Sequence, residues 1–289
     1  MKTLHVDCGR EMGGGQWQVL YLVERLNDAV LLAAKESPLF HEARKRGLDV
    51  RPLSFLSLLR AARRADLMHA HDSRAHSMLA IAGGVPLVVS RRVGFVGRRG
   101  FFSDWKYARA RIYIAISRYV AMRLNDRGFK WPLIRVVYDG VPIPPRPSAK
   151  TGGVVAIAKT GRDAVESVAR SLNVPIRLVT DLWDDLATAS VCVYLSEMEG
   201  LGSGAIAAMA CGVPVIASRV GGLPEVIEHG KTGLLIDSPG ELQPALRRLM
   251  QNADEAAEMG MRAREVARQK FSVEAMVAGT VAVYEEVLR

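Results

Sequence analysis

Apolar runs of only four or five residues recur along the whole chain, and stretches with helical spacing of apolar positions separate them. Runs this short and this continuous suit strands buried on both faces of a parallel sheet, and parallel strands need helical crossovers between them. In the first half, strands are predicted over 3–7, 29–33, 50–53, 67–70, 86–90, 112–115 and 134–137. Helices are predicted over 16–27, 55–65, 74–82 and 118–127, the last with Ser117 as its N-cap. The second half predicts five strands, over 154–158, 176–179, 191–195, 214–217 and 233–236, and helices across 253–289 with a fresh start at Phe271 and Ser272. Asp184 and Asp185 look like the first turn of another helix, where carboxylates favour the dipole. Between the halves, a Pro/Gly-rich stretch over 139–153 follows neither period. The reading is α/β throughout, with one domain over 1–145, a linker at 146–152, a second domain over 153–270 and a last helix over 271–289 that crosses back onto the first domain.

The densest signal lies over 196–237. The strand ending at Leu195 runs into Glu197, Glu199, Gly200, Leu201, Gly202, Ser203 and Gly204, then into an alanine-rich helix that Gly212 stops. A second strand follows and leads to Gly221, Gly222, Leu223, Pro224 and Glu225, with proline where a helix begins. Two strand-loop-helix units in tandem bring two helix N-termini to one sheet edge. Their free N–H groups make an anion site that phosphate fits.

These residues closely resemble the donor-binding half of family-4 glycosyltransferases, retaining nucleotide-sugar enzymes of the GT-B architecture with two Rossmann-like domains facing across a cleft. The resemblance rests on Glu199 to Gly202, on Ala208, Met209, Ala210, Cys211 and Gly212, on Pro214 to Ser218 and on Gly221 to Glu225, in the family's order and spacing. It implies a nucleotide-diphosphate sugar as donor, held by Gly200, Leu201, Gly202, Ser203, Gly221 and Gly222, with Glu199 touching the sugar. Where the family has a second glutamate for the ribose hydroxyls, this chain has Ala207. The family's second domain usually has six strands, so this one is shortened by about one βα unit.

The resemblance extends to the first half, where Gly13, Gly14 and Gly15 look like the glycine-rich first loop of bacterial polysaccharide and lipopolysaccharide-type members. It carries over His71, the second histidine of the His69-Ala70-His71 segment, as the group facing the sugar; His69 and His76 read as structural. Lys159 and Arg162, after the first strand of the second half, stand in for the family's diphosphate-neutralising pair, although the spacing differs. The implied activity is sugar transfer to a glycan or lipid-linked acceptor in cell-envelope synthesis. Ala207 and the shortened domain leave a second reading open, a non-catalytic nucleotide-sugar-binding or scaffold protein on the same fold.

Composition changes this picture in one respect. Residues 1–150 hold 26 Lys and Arg against 12 Asp and Glu, whereas residues 151–289 hold 13 against 18. A first half this basic points to an anionic partner. The basic residues concentrate in Arg91, Arg92, Arg98, Arg99, Lys106, Arg109 and Arg111, interleaved with Phe95, Phe101, Phe102 and Trp105. This reads as a flexible loop, with Arg91 and Arg92 on the acceptor side, suited to a phosphorylated or lipid-linked acceptor and an anionic membrane surface. No nucleic-acid motif accompanies it, and nucleic acid is not an expected partner.

No apolar run approaches 20 residues and no leader-like segment opens the sequence, so the expected location is the cytoplasm, peripheral to the inner face of the plasma membrane. Cys8, Cys192 and Cys211 read as reduced structural thiols. No Asp-x-Asp motif and no His/Cys cluster asks for a metal, so no metal and no cofactor besides the donor substrate are expected.

Overall fold

The computed structural model describes residues 1–93, 100–151 and 153–289. Phe95, Arg98 and Arg99 of the basic run lie outside the described residues. The chain divides into two compact units, Met1–Tyr138 with Met276–Arg289, and Asp139–Ala275.

The first unit contains β1 (Thr3–Asp7), β2 (Ala29–Ala33), β3 (Val50–Pro52), β4 (Leu67–Ala70), β5 (Leu87–Arg91), β6 (Ile112–Ala115) and β7 (Ile134–Val136). All are parallel, in the order β3-β2-β1-β4-β5-β6-β7, so the winding reverses between β1 and β4. In an open parallel sheet, that reversal leaves a crevice at the carboxyl ends of the strands. The crossovers are α1 (Gly14–Val23), α2 (Pro38–Lys45), α3 (Phe55–Ala62), α4 (Ser73–Ala82), α5 (Phe101–Ala108) and α6 (Arg118–Asp126). Their starts follow local chemistry. Ser37, Ser54, Asp72 and Ser117 each accept a backbone N–H from the first turn that follows. Packing of Val19, Leu20, Val23, Leu31, Leu39 and Phe40 illustrates the core on one face of the sheet.

The second unit has five strands, β8 (Val154–Ala158), β9 (Ile176–Leu178), β10 (Val191–Leu195), β11 (Val215–Ser218) and β12 (Gly233–Ile236), parallel in the order β12-β11-β10-β8-β9. Around them lie α7 (Arg162–Leu172), α8 (Leu182–Thr188), α9 (Ser203–Ala210), α10 (Leu223–Val226), α11 (Leu242–Gln251) and α12 (Ala253–Lys270). A last helix, α13 (Val273–Leu288), belongs to the first unit from Met276 onward.

The units part at Tyr138 and Asp139, ahead of the Pro/Gly-rich stretch. The segment after Asp139 is tied into the second unit. Val141 bridges to Ser272, the Ser148 N–H donates to the Cys211 carbonyl at 2.6 Å, and the Ala149 N–H donates to the Ala187 carbonyl at 2.9 Å.

One expectation about the first unit is overturned. The basic aromatic segment is not wholly a loop, because Phe101–Ala108 forms α5. His76 on α4 meets the Lys106 carbonyl at 3.0 Å, Lys106 Nζ donates to the Ser73 carbonyl at 2.7 Å, and Arg109 lies over the Trp105 ring. Glycines and arginines flanking the segment masked its helical composition. None of the described helices is long and apolar enough to cross a membrane.

Candidate functional site

In the second unit, β10 ends in Tyr194 and Leu195, and the chain then doubles into the Glu199–Gly202 loop that opens α9. Gly202 caps that helix in a left-handed conformation, φ +100°, and contributes no side chain to the helix end. The N–H groups of its first turn therefore remain available to a ligand, and the helix dipole favours an anion there. The loop is locked from behind by the second glycine pair. Gly222 N–H donates to the Glu199 carbonyl at 3.0 Å, and a β-carbon on Gly221 or Gly222 would run into the backbone of Glu199 or Gly200. Here glycine is required by contact, and at Gly221 also by φ +56°.

This lock fixes the side chain of Glu199, which is only 13% exposed. Its Oε2 accepts the Tyr194 hydroxyl at 2.6 Å and Lys159 Nζ at 2.6 Å. Lys159 also lies over the Tyr194 ring, 5.8 Å from its centroid. Burial, with the Glu199 carboxylate beside it, pushes the Tyr194 hydroxyl well above the ordinary tyrosine range, so it remains a donor. Tyr194 is a site residue that the sequence reading treated as part of an apolar strand.

The other residues expected here divide. Ser203 and Gly204 start α9 and are partly exposed, and Leu201 is buried beneath the loop. Arg162 is the first residue of α7, exposed, and no contact with Lys159 or Glu199 brings it into their group among the described residues. Ala207 is fully buried within α9, so its methyl faces packed protein and not an open ribose site. A pocket of about 290 Å³ opens beside this edge, with Thr160, Ser196, Glu197, Ser218, Asp237 and Ser238 among its lining. Its hydroxyl and carboxylate groups suit the hydroxyls of a sugar or ribose better than a phosphate.

In the first unit, the crevice between β1 and β4 holds a histidine trio. His5 and His69 are register partners on neighbouring strands, and His71 follows β4. His5 Nδ1 meets His71 Nε2 at 3.0 Å and His5 Nε2 meets Thr3 Oγ1 at 3.0 Å. His69 meets the Tyr284 hydroxyl at 2.6 Å and Ser90 Oγ at 2.8 Å. Burial holds all three neutral, with His5 lowered to about 3 and the charge of Arg92 adding to the effect at His69 and His71. The sequence was expected to hold no His/Cys cluster that asks for a metal, and the fold brings three histidines together. Spacing could not show it, because His5 arrives from another strand. Three ring nitrogens within 4.8 Å of one another could ligate a metal, but every ring nitrogen except His71 Nδ1 has a hydrogen-bond partner among the described residues. The trio is built first as a hydrogen-bonded frame for His71.

Arg92 extends that frame. Its Nη1 donates to the His71 carbonyl at 3.2 Å, and its side chain lies against Gly15, where a β-carbon would stand 3.3 Å from Arg92 Cδ. Gly14 and Gly15 open α1, and Gln16 braces their loop by donating to both oxygens of Asp7 at 3.2 Å. Arg91 is buried, 7% exposed, so it is not an open acceptor contact.

Residues 12–143 match the family model described as Glycosyltransferase Family 4, and residues 173–266 match that of glycosyl transferases group 1. N-acetyl-alpha-D-glucosaminyl L-malate synthase of Bacillus anthracis is 42% identical over 107 residues, which is 36% of this chain and 28% of that protein. Alpha-maltose-1-phosphate synthase of Mycolicibacterium smegmatis is 36% identical over 110 residues, 35% of this chain and 28% of that protein. The matched stretch thus spans little more than a quarter of either relative. Among solved structures, HepE of Anabaena in complex with UDP and glucose superposes with a TM-score of 0.85 at 17% identity, covering 99% of both chains. The lipopolysaccharide outer core galactosyltransferase WaaB, in its apo form, gives 0.73 at 14% identity, covering 99% of this chain and 100% of that one. These likenesses show a GT-B fold, and the two family models, over residues 12–143 and 173–266, match the chain to glycosyltransferase family 4.

Proposed function

We propose that the chain transfers a sugar, with retention of configuration, from a nucleotide-diphosphate sugar to a glycan or glycolipid acceptor of the cell envelope. The observation that carries this is the interlocked pair of glycine loops that presents the α9 N-terminus beside Lys159 and Glu199. The diphosphate sits on the α9 N–H groups with Lys159 as counter-charge, and Glu199 accepts hydrogen bonds from sugar hydroxyls. The bond from the anomeric carbon to the diphosphate oxygen breaks while a bond to the acceptor oxygen forms on the same face. The acceptor proton passes to the departing phosphate, so no protein nucleophile is required. His71, held neutral by burial, would act in transfer as a hydrogen-bonding group and not by taking up a proton. UDP is the nucleotide to test first, since HepE was solved with UDP-glucose.

Calorimetric titration with UDP, paired with an assay of UDP release from UDP-sugars, tests the reading. Saturable UDP binding that is lost on Lys159→Ala and Gly202→Trp, in folded variants, is expected. Absence of binding to UDP, GDP or ADP, free or as sugars, at millimolar concentration would overturn it. Binding without release in the presence of any acceptor would favour the non-catalytic reading, for which the alanine at position 207 is the supporting observation.

The same proposal places the protein on an anionic membrane surface through α5, where Phe101 and Phe102 are 85% and 81% exposed next to basic residues. Flotation with anionic but not neutral vesicles, abolished by high salt, is the expected behaviour.

A further inference from the structure

A second concave site lies entirely within the first unit. Its volume is about 570 Å³, within the range of small-molecule pockets. Its walls come from the chain just beyond β1, β2 and β3 and from the first turn of α4, so it opens at the carboxyl edge of the sheet next to the β1/β4 reversal. The residues that give it chemical character are Arg10, Lys35 and Arg74, with Cys8, Glu36 and Ser37 beside them.

The three cations here are not directly paired. Among the described residues, Arg10, Lys35 and Arg74 make no ion pair and no side-chain hydrogen bond, although carboxylates are close by. Each of those carboxylates is already committed elsewhere. Asp72 accepts the N–H groups of Arg74, Ala75 and Cys8 at 2.7, 3.0 and 2.5 Å. Asp7 accepts the Gly9 N–H at 2.8 Å and the Gln16 amide. Glu36, the one acid in the pocket wall, faces His41 with Oε2 3.1 Å from Nε2. Glu36 is also held at φ +65°, an uncommon conformation for a residue other than glycine, at the point where the loop turns Lys35 into the pocket wall. The Cys8 thiol, pushed up to about 12 by burial and by Asp72 and Asp7, adds no negative charge. Two forked guanidinium groups and an ammonium around one concavity, none of them in an ion pair among the described residues, match a compact dianion.

We infer that this pocket binds a dianionic group of the acceptor, a phosphate monoester or a dicarboxylate, through Arg10, Lys35 and Arg74. The inference rests on the reading of the chain as a transferase for its use of the word acceptor, but the pocket and its charge stand without it. It also moves the anion-recognition role away from Arg91, which is buried, and from Arg92, which donates to the His71 carbonyl.

Thermal melting at fixed ionic strength tests the inference, using methyl phosphate and malonate as probes, chloride as control and saturating UDP as a separate arm. A saturable rise in Tm with at least one dianion is expected, in the presence and in the absence of UDP. Its apparent affinity should weaken about tenfold or more in R10A/K35A/R74A. All three side chains are exposed, and an unchanged response of that variant to UDP shows that its fold and donor site are intact. Response to methyl phosphate alone identifies a phosphate monoester, response to malonate alone identifies a dicarboxylate, and either supports the site. No wild-type response to either dianion, or an equal response in the triple variant, overturns it. A dianion response that depends on the three cations in a protein that ignores UDP would leave the pocket standing and remove the donor reading.

Discussion

The carbonyl oxygen of Glu199 occupies the place that a β-carbon on Gly221 would need. The two residues belong to different βα loops, so this contact fixes one loop against the other and sets the direction of the Glu199 side chain. Gly221→Ala should therefore lose nucleotide binding and destabilise the second unit by about 2 kcal/mol or more, combining left-handed strain with a backbone clash. Gly230→Ala is the control. It has the same sign of φ, at +80°, but open space around it, and should cost only about 1 kcal/mol. Urea unfolding with UDP titration of both variants measures the difference, and equal costs would show that the loops are not locked by this contact.

The Tyr194 hydroxyl and Lys159 share one carboxylate oxygen of Glu199. Tyr194→Phe removes a buried hydrogen bond to a charged group and should cost about 1.5–3 kcal/mol. Combined with Glu199→Gln, the losses should fall short of additive, since both remove the same bond. A strictly additive double variant would mean that Tyr194 stabilises the strand and not the carboxylate.

Acid should unfold this protein earlier than its carboxylates alone would require. In the unfolded chain an imidazole takes up a proton below pH 6.5 or so, whereas native His5 and His76 stay neutral to about 3, with His69 and His71 lowered as well. Between those limits the unfolded state binds more protons, so stability rises with pH and is lost as pH falls from about 6.5 toward 3. Each histidine adds a slope of up to about 1.4 kcal/mol per pH unit. Urea midpoints that stay constant from pH 7.5 to 5 would show that the trio is not held neutral.

Position 207 is the place where family pattern and structure pull apart. Ala207→Glu would restore the second glutamate, yet the site is fully buried, and an unpaired carboxylate there should cost about 3–5 kcal/mol. We expect a large drop in Tm and no tightening of UDP binding. A folded Ala207→Glu variant that binds UDP more tightly would show that α9 can open this face to ribose.

Local signals made most of this legible. Strands of continuous apolar residues, the Ser117 cap and both glycine loops are written in neighbouring residues, and Glu199, Gly202 and Gly221 could be found in that way. What needed the fold was register and return. His5 and His69 become neighbours only because β1 and β4 pair without offset. Tyr284 reaches His69 from a helix that the sequence placed but could not orient. Lys159 and Glu199 were each visible, but their shared hydrogen bond with Tyr194 was not. Helix α5 was missed because its flanking glycines and arginines carry a loop composition, and the pocket around Arg10 was missed because its three cations come from two loops and the first turn of α4.

The 215 residues that separate His69 from Tyr284 give the hydrogen bond between them a temporal meaning. A chain made from its N-terminus exposes His69 long before its partner exists, at roughly 5–20 residues per second a wait of about 10 to 40 s. By the end of that interval the second unit, Asp139–Ala275, has been made, while in the first His69 still lacks one hydrogen-bond partner. Completion of the first sheet's interior is thus deferred until α13 has emerged, and the histidine frame closes only when that helix has left the ribosome.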